Sequence, residues 1–361
     1  MKPRAIHQML PTLTAHDAIG QHVIELQNLF RGWGYDSEIY AERWHPQLAQ
    51  ACRPYQSYSS VSHPDNLVLL HYSIGGDINH FARQLPDRLV LDYHNITPAS
   101  YFYPYNCELA LQLDEARREL GSFAGRAPAI ADSEYNGREL ESLQFRLLGV
   151  VNPIFALHQS EAHADPGTTA SLVQRYGRAG SVHWLHVGRL APNKCIHDII
   201  KAFHYYHRWI NPASRLLLVG SSAGLETYVD ELFALVTRLE LDGAVAFCGS
   251  VNQAADFYAL ADVYVAMSEH EGFCIPLVEA MQHGVPVVAF ASTAVPETLG
   301  GAGVLIRKKD FPVIAELAHE VVTNAGFRRS LIAGQRARYG RFSLETAQQT
   351  LRASLEGAAE A

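Results

Sequence analysis

Five short apolar runs, HWLHVG, RLLLVG, AVAFCG, VYVAM and VPVVAF, follow one another between residues 183 and 290, and each leads into a turn or helix signal. A chain patterned this way is confined to α/β folds with a doubly wound parallel sheet. The N-terminal half carries the same punctuation, with strand-like segments near Ala5–Leu10, Ser37–Ala41, Leu67–His71, Leu89–Tyr93, Ala129–Asp132 and Gly149–Val151. Between the halves, residues 156–180 (ALHQSEAHADPGTTASLVQRYGRAG) are polar and read as a connection. Two doubly wound sheets are therefore expected, with ligands bound beyond the carboxyl ends of the strands.

The 361 residues are 48% hydrophobic and 18% charged, enough for a large core and for two domains. A formal charge of −8 argues against a nucleic-acid partner, so phosphate binding must be local. Cys52, Cys107, Cys195, Cys248 and Cys274 are scattered and odd in number, with no C-x-x-C pair. That pattern fits neither a disulfide framework nor a structural zinc site and points to a reducing cytoplasm. No apolar run approaches the roughly 20 residues needed to span a bilayer.

The most specific chemistry lies in EHEGFCIPLVEAMQHGVPVVA, where Glu271 and Glu279 flank a loop and a helix start. Pro276 suits the first turn of a helix, which puts Glu271 and Gly272 on the preceding loop and Glu279 in the first turns. Backbone N–H groups at such a junction bind anions, and a carboxylate on either side can accept sugar hydroxyls. The helix dipole alone would also favour acidic residues here. In HVGRLAPNKCIHDIIKAFHYY a strand ends at Gly188, Arg189 follows, and Asn193 is placed to cap a helix beginning near Lys194. A lysine at a helix N-terminus opposes the dipole, which makes sense with a bound anion in front of it. Both cations could instead be solvated surface charges. With the Glu271 loop in the same half, a diphosphate is the better reading.

VGRLAPNK, the Glu271/Glu279 pair with its intervening GF, EAMQHGVPVVA, and VPETLGGAGVLI around Pro296 and Gly303 resemble the retaining glycosyltransferases of family 4 over nearly the whole chain. The resemblance implies the GT-B fold, two facing Rossmann-like domains: an acceptor-side domain over 1–160, a nucleotide-sugar domain over 161–340, and a helix over 341–361 that returns to the first. It also implies roles. Glu279 would bind the donor ribose, Glu271 would face the donor sugar, and the amides of Gly272, Phe273 and Cys274 would touch sugar and diphosphate. Arg189 and Lys194 would neutralise the diphosphate. Gly220, Ser221, Ser250 and Val251 match positions lining the nucleotide pocket, although ordinary strand-end turns look the same.

In the N-terminal half, Gly20 resembles the loop that approaches the donor phosphates, with one glycine where many relatives have two. His94 follows a strand where relatives present a residue to the donor sugar; a local turn before Pro98 is the plain alternative. Asp17 and Asn95 are weaker candidates of the same kind. HYSIGGD, from His71 to Asp77, reads as an acceptor-side loop or a simple turn. Tyr101, Phe102, Tyr103 and Tyr105 could stack on a sugar, rest on a lipid interface or pack in a core. Cys274 stands where relatives commonly carry Gly, so it should behave as a small apolar residue in a narrowed loop. Glu297 reads as structural, and Ser343 as the cap of a last helix.

The activity implied is transfer of a sugar from a UDP- or GDP-sugar to an acceptor that is a glycan, a lipid-linked molecule or a small molecule, at a cytoplasmic site with or without peripheral contact to the inner membrane face. No two Asp residues have Asp-x-Asp spacing, so no metal is expected, nor any other cofactor. A sugar-nucleotide epimerase, a phosphorylase and a non-catalytic sensor could share the architecture. A nicotinamide dehydrogenase is disfavoured because PTLTAHDAIG lacks G-x-G-x-x-G.

Overall fold

The computed structural model describes residues 3–14, 18–153, 164–177, 180–251 and 254–359. The expected boundary at 160/161 and Asp17 lie outside them. By contact the chain divides into two units, one made of Met1–Tyr103, Cys107–His158 and Phe342–Ala361, the other of Pro104–Asn106 and Gln159–Arg341.

The first unit is built on seven parallel strands, β1 (Ile6–Leu13), β2 (Ile39–Trp44), β3 (Cys52–Pro54), β4 (Leu67–Tyr72), β5 (Arg88–Tyr93), β6 (Ala129–Ala131) and β7 (Leu147–Val150), in the order β3-β2-β1-β4-β5-β6-β7. β1 pairs with β2 on one side, Gln8 against Ile39, and with β4 on the other, Ile6 against Leu67. The order reverses between β1 and β4, which opens a crevice at their carboxyl ends. Helix Ala18–Gly32 covers one flank; Val23 packs with Leu10, Leu13, Ile39 and Ala41, all withdrawn from solvent. Burying side chains of this size gains roughly 1.5–3 kcal/mol each, which holds helix to sheet without specific polar contacts. The last helix, Leu344–Ala359, packs on β7: Arg146 donates to the Gly357 carbonyl at 2.9 Å, and a Cβ on Gly149 would meet Ser354 Oγ at 2.7 Å. Ser343 caps it, accepting from the Thr346 amide at 3.0 Å.

The second unit has six parallel strands, β8 (His183–Val187), β9 (Arg215–Val219), β10 (Val245–Gly249), β11 (Val263–Ala266), β12 (Val287–Phe290) and β13 (Val304–Ile306), in the order β10-β9-β8-β11-β12-β13. Its reversal falls between β8 and β11. β8 pairs with both β9 and β11, and Leu185, Leu217 and Val265 fill the centre with no solvent exposure.

Two local expectations are corrected. Part of the expected connection is a helix, Pro166–Tyr176, because the Asp165 carboxylate accepts from the Thr168 amide at 2.7 Å and Pro166 is pre-set for a first turn. It is anchored on helix Ala255–Leu260, where Thr169 Oγ1 donates to Asp256 at 3.0 Å. β3 and β13 were not expected: three residues at a sheet edge carry too little periodicity to read. Among the described residues no helix is long and apolar enough to cross a membrane.

Candidate active site

In the second unit the chain leaves β8 through Gly188 and Arg189 and β9 through Gly220 and Ser221. A Cβ on Gly220 would lie 1.9 Å from the Gly188 carbonyl, and its φ of 151° is one that glycine alone adopts readily. This close approach joins the two loops, Leu190 N–H donating to Ser221 O at 2.8 Å. Ser221 Oγ accepts the Ala223 amide at 3.1 Å, and Arg189 Nη2 donates to the Ala223 carbonyl at 3.0 Å. Both residues thus belong to one strand-end cradle. Ser250 is exposed and Val251 half-buried after β10, and among the described residues neither shares a hydrogen bond with the rest of the cradle.

The turn after Arg189 departs from expectation. Pro192–Lys194 forms a 3-10 turn, and the helix begins only at Ile196, after Cys195 in the left-handed conformation at φ 50°. Asn193 does not cap that helix; its Nδ2 donates instead to the His270 carbonyl at 3.1 Å, while Glu269 N–H donates to Asn193 O at 2.9 Å. These bonds staple the β8 loop to the β11 loop and carry Lys194 to Glu271. Lys194 Nζ reaches both carboxylate oxygens, at 2.7 and 2.6 Å. Burial opposes both charges, but their mutual attraction more than offsets it: the Lys194 pKa is raised and the Glu271 pKa lowered. Lys194 is therefore paired with a carboxylate, where the sequence suggested a lysine waiting for an anion.

Glu271 is held from behind by Thr293, whose Oγ1 accepts its amide at 2.9 Å; Thr298 Oγ1 donates to the Phe273 carbonyl at 2.5 Å. Gly272, Phe273 and Cys274 lead into helix Ile275–Gln282, with Pro276 in its first turn as expected. Cys274 has φ 71°, the left-handed region that favours glycine over a residue with a side chain. Burial pushes its thiol well above the ordinary range, so it is inert as a nucleophile. Glu279 projects from the same helix. Tyr258, which sequence reasoning missed, donates to its Oε2 at 2.8 Å and stacks on His283 at 5.2 Å. Burial raises the Glu279 pKa. The missed signal was FYALAD, an aromatic hydroxyl on a helix otherwise read only for periodicity.

In the first unit, Gly20 sits in the first turn of its helix, where a Cβ would meet the Thr14 carbonyl at 2.1 Å; close packing inside the chain already demands glycine there. Gly75 and Gly76 of HYSIGGD are likewise crowded, by the Gln112 carbonyl and the Glu42 carboxylate. Tyr103 is exposed, Phe102 is buried, and Tyr105 counts with the second unit, donating to Glu231 at 2.9 Å.

His94 is not an open side chain. Its imidazole is 5% exposed, with Nδ1 3.0 Å from Asp132 Oδ2 and Nε2 3.0 Å from His71 Nδ1. Asp92 Oδ2 lies 3.2 Å from His71, 3.4 Å from His22 and 3.6 Å from His94. Asn95, at φ 71°, donates to Asn136 at 2.6 Å and fixes the backbone that follows. The sequence did carry a signal for this cluster: polar residues interrupt the apolar strands in LLHY and LDYHN.

A model of the glycosyl transferases group 1 family matches residues 179–338. O-antigen chain mannosyltransferase B of Escherichia coli is 30% identical over 183 residues, 50% of this chain and 47% of that protein. N-acetyl-alpha-D-glucosaminyl L-malate synthase of Bacillus anthracis is 29% identical over 170 residues, 46% of this chain and 42% of that protein. Each match spans about half the length of the curated relative or less. Among solved structures, Anabaena HepE in complex with UDP-glucose aligns over 97% of this chain and 99% of its own, with a TM-score of 0.73 at 20% identity. The two parallel sheets are those of the GT-B fold. The matched segment spans the strands and loops that carry Arg189, Lys194, Glu271 and Glu279, so it is in this part of the chain that the similarity to the group 1 glycosyl transferases lies.

Proposed function

We propose that the protein transfers a sugar from a nucleoside diphosphate sugar to an acceptor, with retention of anomeric configuration and without a metal ion. One observation carries this reading: at the strand reversal of the second unit, two cations and two carboxylates are gathered by the β8, β9 and β11 loops, inside the segment matched by the family. The crystallised HepE carries UDP-glucose, which supports a UDP-sugar as first candidate; the mannosyltransferase among the relatives keeps a mannosyl donor open.

In this reading the diphosphate takes the ammonium of Lys194 and the guanidinium of Arg189, and Lys194 turns from Glu271 toward phosphate. Glu271 is then released to accept hydroxyls of the donor sugar, and Glu279, oriented by Tyr258, accepts those of the ribose. The amides of Gly272, Phe273 and Cys274 lie along sugar and diphosphate, with Gly220, Ser221, Ser250 and Val251 around the nucleotide. The bond from the anomeric carbon to phosphate oxygen breaks as the acceptor oxygen bonds to the same face, and the acceptor proton passes to the leaving phosphate. Positive side chains and helix N-termini stabilise the charge that accumulates there. His94 is also assigned a part in this reaction.

The test is incubation with UDP-glucose, GDP-mannose and related donors, with and without glycan and lipid-linked acceptors, in EDTA. A new glycoside of the donor's anomeric configuration is expected. Epimerised or phosphorolysed donor, or binding without turnover, would replace this reading with one of its rivals; activity abolished by EDTA would remove the metal-free part.

A further inference from the structure

A line of buried groups runs from Gln8 within β1 across the carboxyl ends of β4, β5 and β6, and its proton count is fixed by geometry. Gln8 Nε2 donates to the Val23 carbonyl at 2.9 Å, which turns its Oε1 toward His71 Nε2, 3.0 Å away. That oxygen only accepts, so His71 carries a proton on Nε2. At the other end, His94 Nδ1 lies 3.0 and 3.1 Å from the two oxygens of Asp132, which accept when ionised, so His94 carries a proton on Nδ1. Between them, His71 Nδ1 and His94 Nε2 are 3.0 Å apart. The ring centroids are 5.3 Å apart and the planes differ by 7°, so the rings are nearly coplanar and the two nitrogens meet head on.

With both outer nitrogens protonated, two neutral rings would press lone pair against lone pair. One further proton between them removes the conflict and gives the pair three protons and one positive charge. A metal ion does not fit that gap: nitrogen ligands bind zinc at about 2.0–2.1 Å, and the midpoint of a head-on 3.0 Å separation is far closer. Compensating charge is at hand. Asp92 Oδ2 is buried without a hydrogen-bond partner of good geometry, yet faces His71, His94 and His22 at 3.2, 3.6 and 3.4 Å.

We propose that His71 and His94 are held as a monocation by Asp132 and Asp92, and that Gln8, His71, Asp92 and Asp132 are positioning residues that keep His94 charged and in one ring orientation for the transfer reaction. The part concerning transfer rests on the role given to His94 above; the part concerning charge does not. Asp132 hydrogen-bonds directly to His94 and draws the shared proton toward that ring. Burial opposes ionisation of Asp92, but the imidazoles of His94, His22 and His71 more than offset it and hold its pKa well below the usual range. Among the described residues, the groups facing the pair include these two carboxylates, His22 and the Gln8 amide.

Two measurements on the full chain separate the parts. Nitrogen-15 NMR of the wild type at pH 7, with the His94 resonances identified by their loss in His94→Asn, should show both ring nitrogens of His94 protonated. A single neutral tautomer would overturn the charge assignment. In kinetics, Asp132→Asn should move the alkaline limb of the kcat profile down by about one pH unit or more, as loss of a direct charge partner does. His71→Leu should lower kcat at least about tenfold with the donor KM changed less than about twofold, while His71→Gln, which keeps an acceptor for His94 Nε2–H, should retain most activity. Variants that lose thermal stability but keep the wild-type pH profile and kcat would overturn the positioning role. A wild type that turns over no nucleotide sugar would sink the proposed function and the positioning role together, and NMR would still decide the charge.

Discussion

Both sheets reverse their strand order once, and both reversals collect ionisable side chains at the carboxyl ends, but the two collections differ in kind. In the second unit the central pair is Lys194 with Glu271, 21% and 7% exposed, a partly exposed lysine on a flexible stem beside a buried carboxylate. In the first unit, His22, His71, His94, Asp92 and Asp132 are each at most 8% exposed, and His71 and His94 use both ring nitrogens. A pair of the first kind can exchange partners when an anion arrives, whereas a network of the second kind is set before any ligand binds. The same topology therefore supplies one adaptable site and one preorganised site. The difference lies in side-chain reach and depth, not in the sheet.

The largest expected effect breaks the adaptable side. Lys194→Met leaves Glu271 buried and unpaired, which should cost about 3–5 kcal/mol in urea unfolding, so the variant will not be an innocent probe of activity. Lys194→Met combined with Glu271→Gln should recover most of that stability while donor turnover stays lost. If the single variant is as stable as wild type, the pair is not the buried contact described here.

Acid should then separate the two regions. Burial lowers the His71 pKa to about 4, so the folded state binds fewer protons than the unfolded one between there and the ordinary value of 6.5. Stability of the first unit should fall as pH drops through that window, by at most about 1.4 kcal/mol per pH unit for each such histidine. Glu271 has a lowered pKa, so its contribution is intact above the usual carboxylate range and is lost only as pH falls below it. Hydrogen exchange resolved by segment should show β4 and β5 loosening at higher pH than the loop at Glu271; simultaneous loosening would count against the contrast. His186, buried in β8 and also lowered to about 4, adds a term of the same sign to the second unit, so the contrast is read at the Glu271 loop and not over the whole unit.

Tyr258→Phe sharpens the picture of the donor side. It removes the hydroxyl that orients Glu279 and should weaken nucleotide binding by about 1 kcal/mol, roughly fivefold in Kd by calorimetry with UDP. An unchanged Kd would detach Glu279 from the nucleotide. The smallest effect belongs to Cys274→Gly, which relieves a left-handed non-glycine residue worth about 1–2 kcal/mol, less the loss of a small buried side chain, and should raise Tm slightly. Cys274→Val, branched at the same φ, should lower it.

Much of the architecture could be read before any coordinates. HWLHVG, RLLLVG and VPVVAF announce buried parallel strands because burial on both faces requires unbroken apolar runs. The edge strands Cys52–Pro54 and Val304–Ile306 could not be read, since an edge of three residues is defined by its neighbour rather than by its own pattern. Within the candidate site, Arg189, Glu271 and Glu279 were legible because each follows a strand end or helix start marked by Gly or Pro. Asn193 was misread as a cap for the same reason: its side chain was free to choose between a local amide and a distant carbonyl, and His270 lies 77 positions away.

Composition and periodicity alone determined two doubly wound α/β units with polar chemistry at the ends of their strands, because short-range spacing dictates which faces are buried. Only the tertiary structure decided who partners whom: that Lys194 closes on Glu271, that Tyr258 finds Glu279, and that His94 is sealed among His71, Asp92 and Asp132. Pairing energies depend on distance and burial, and both are set by strand order across the sheet, which joins residues far apart in the chain.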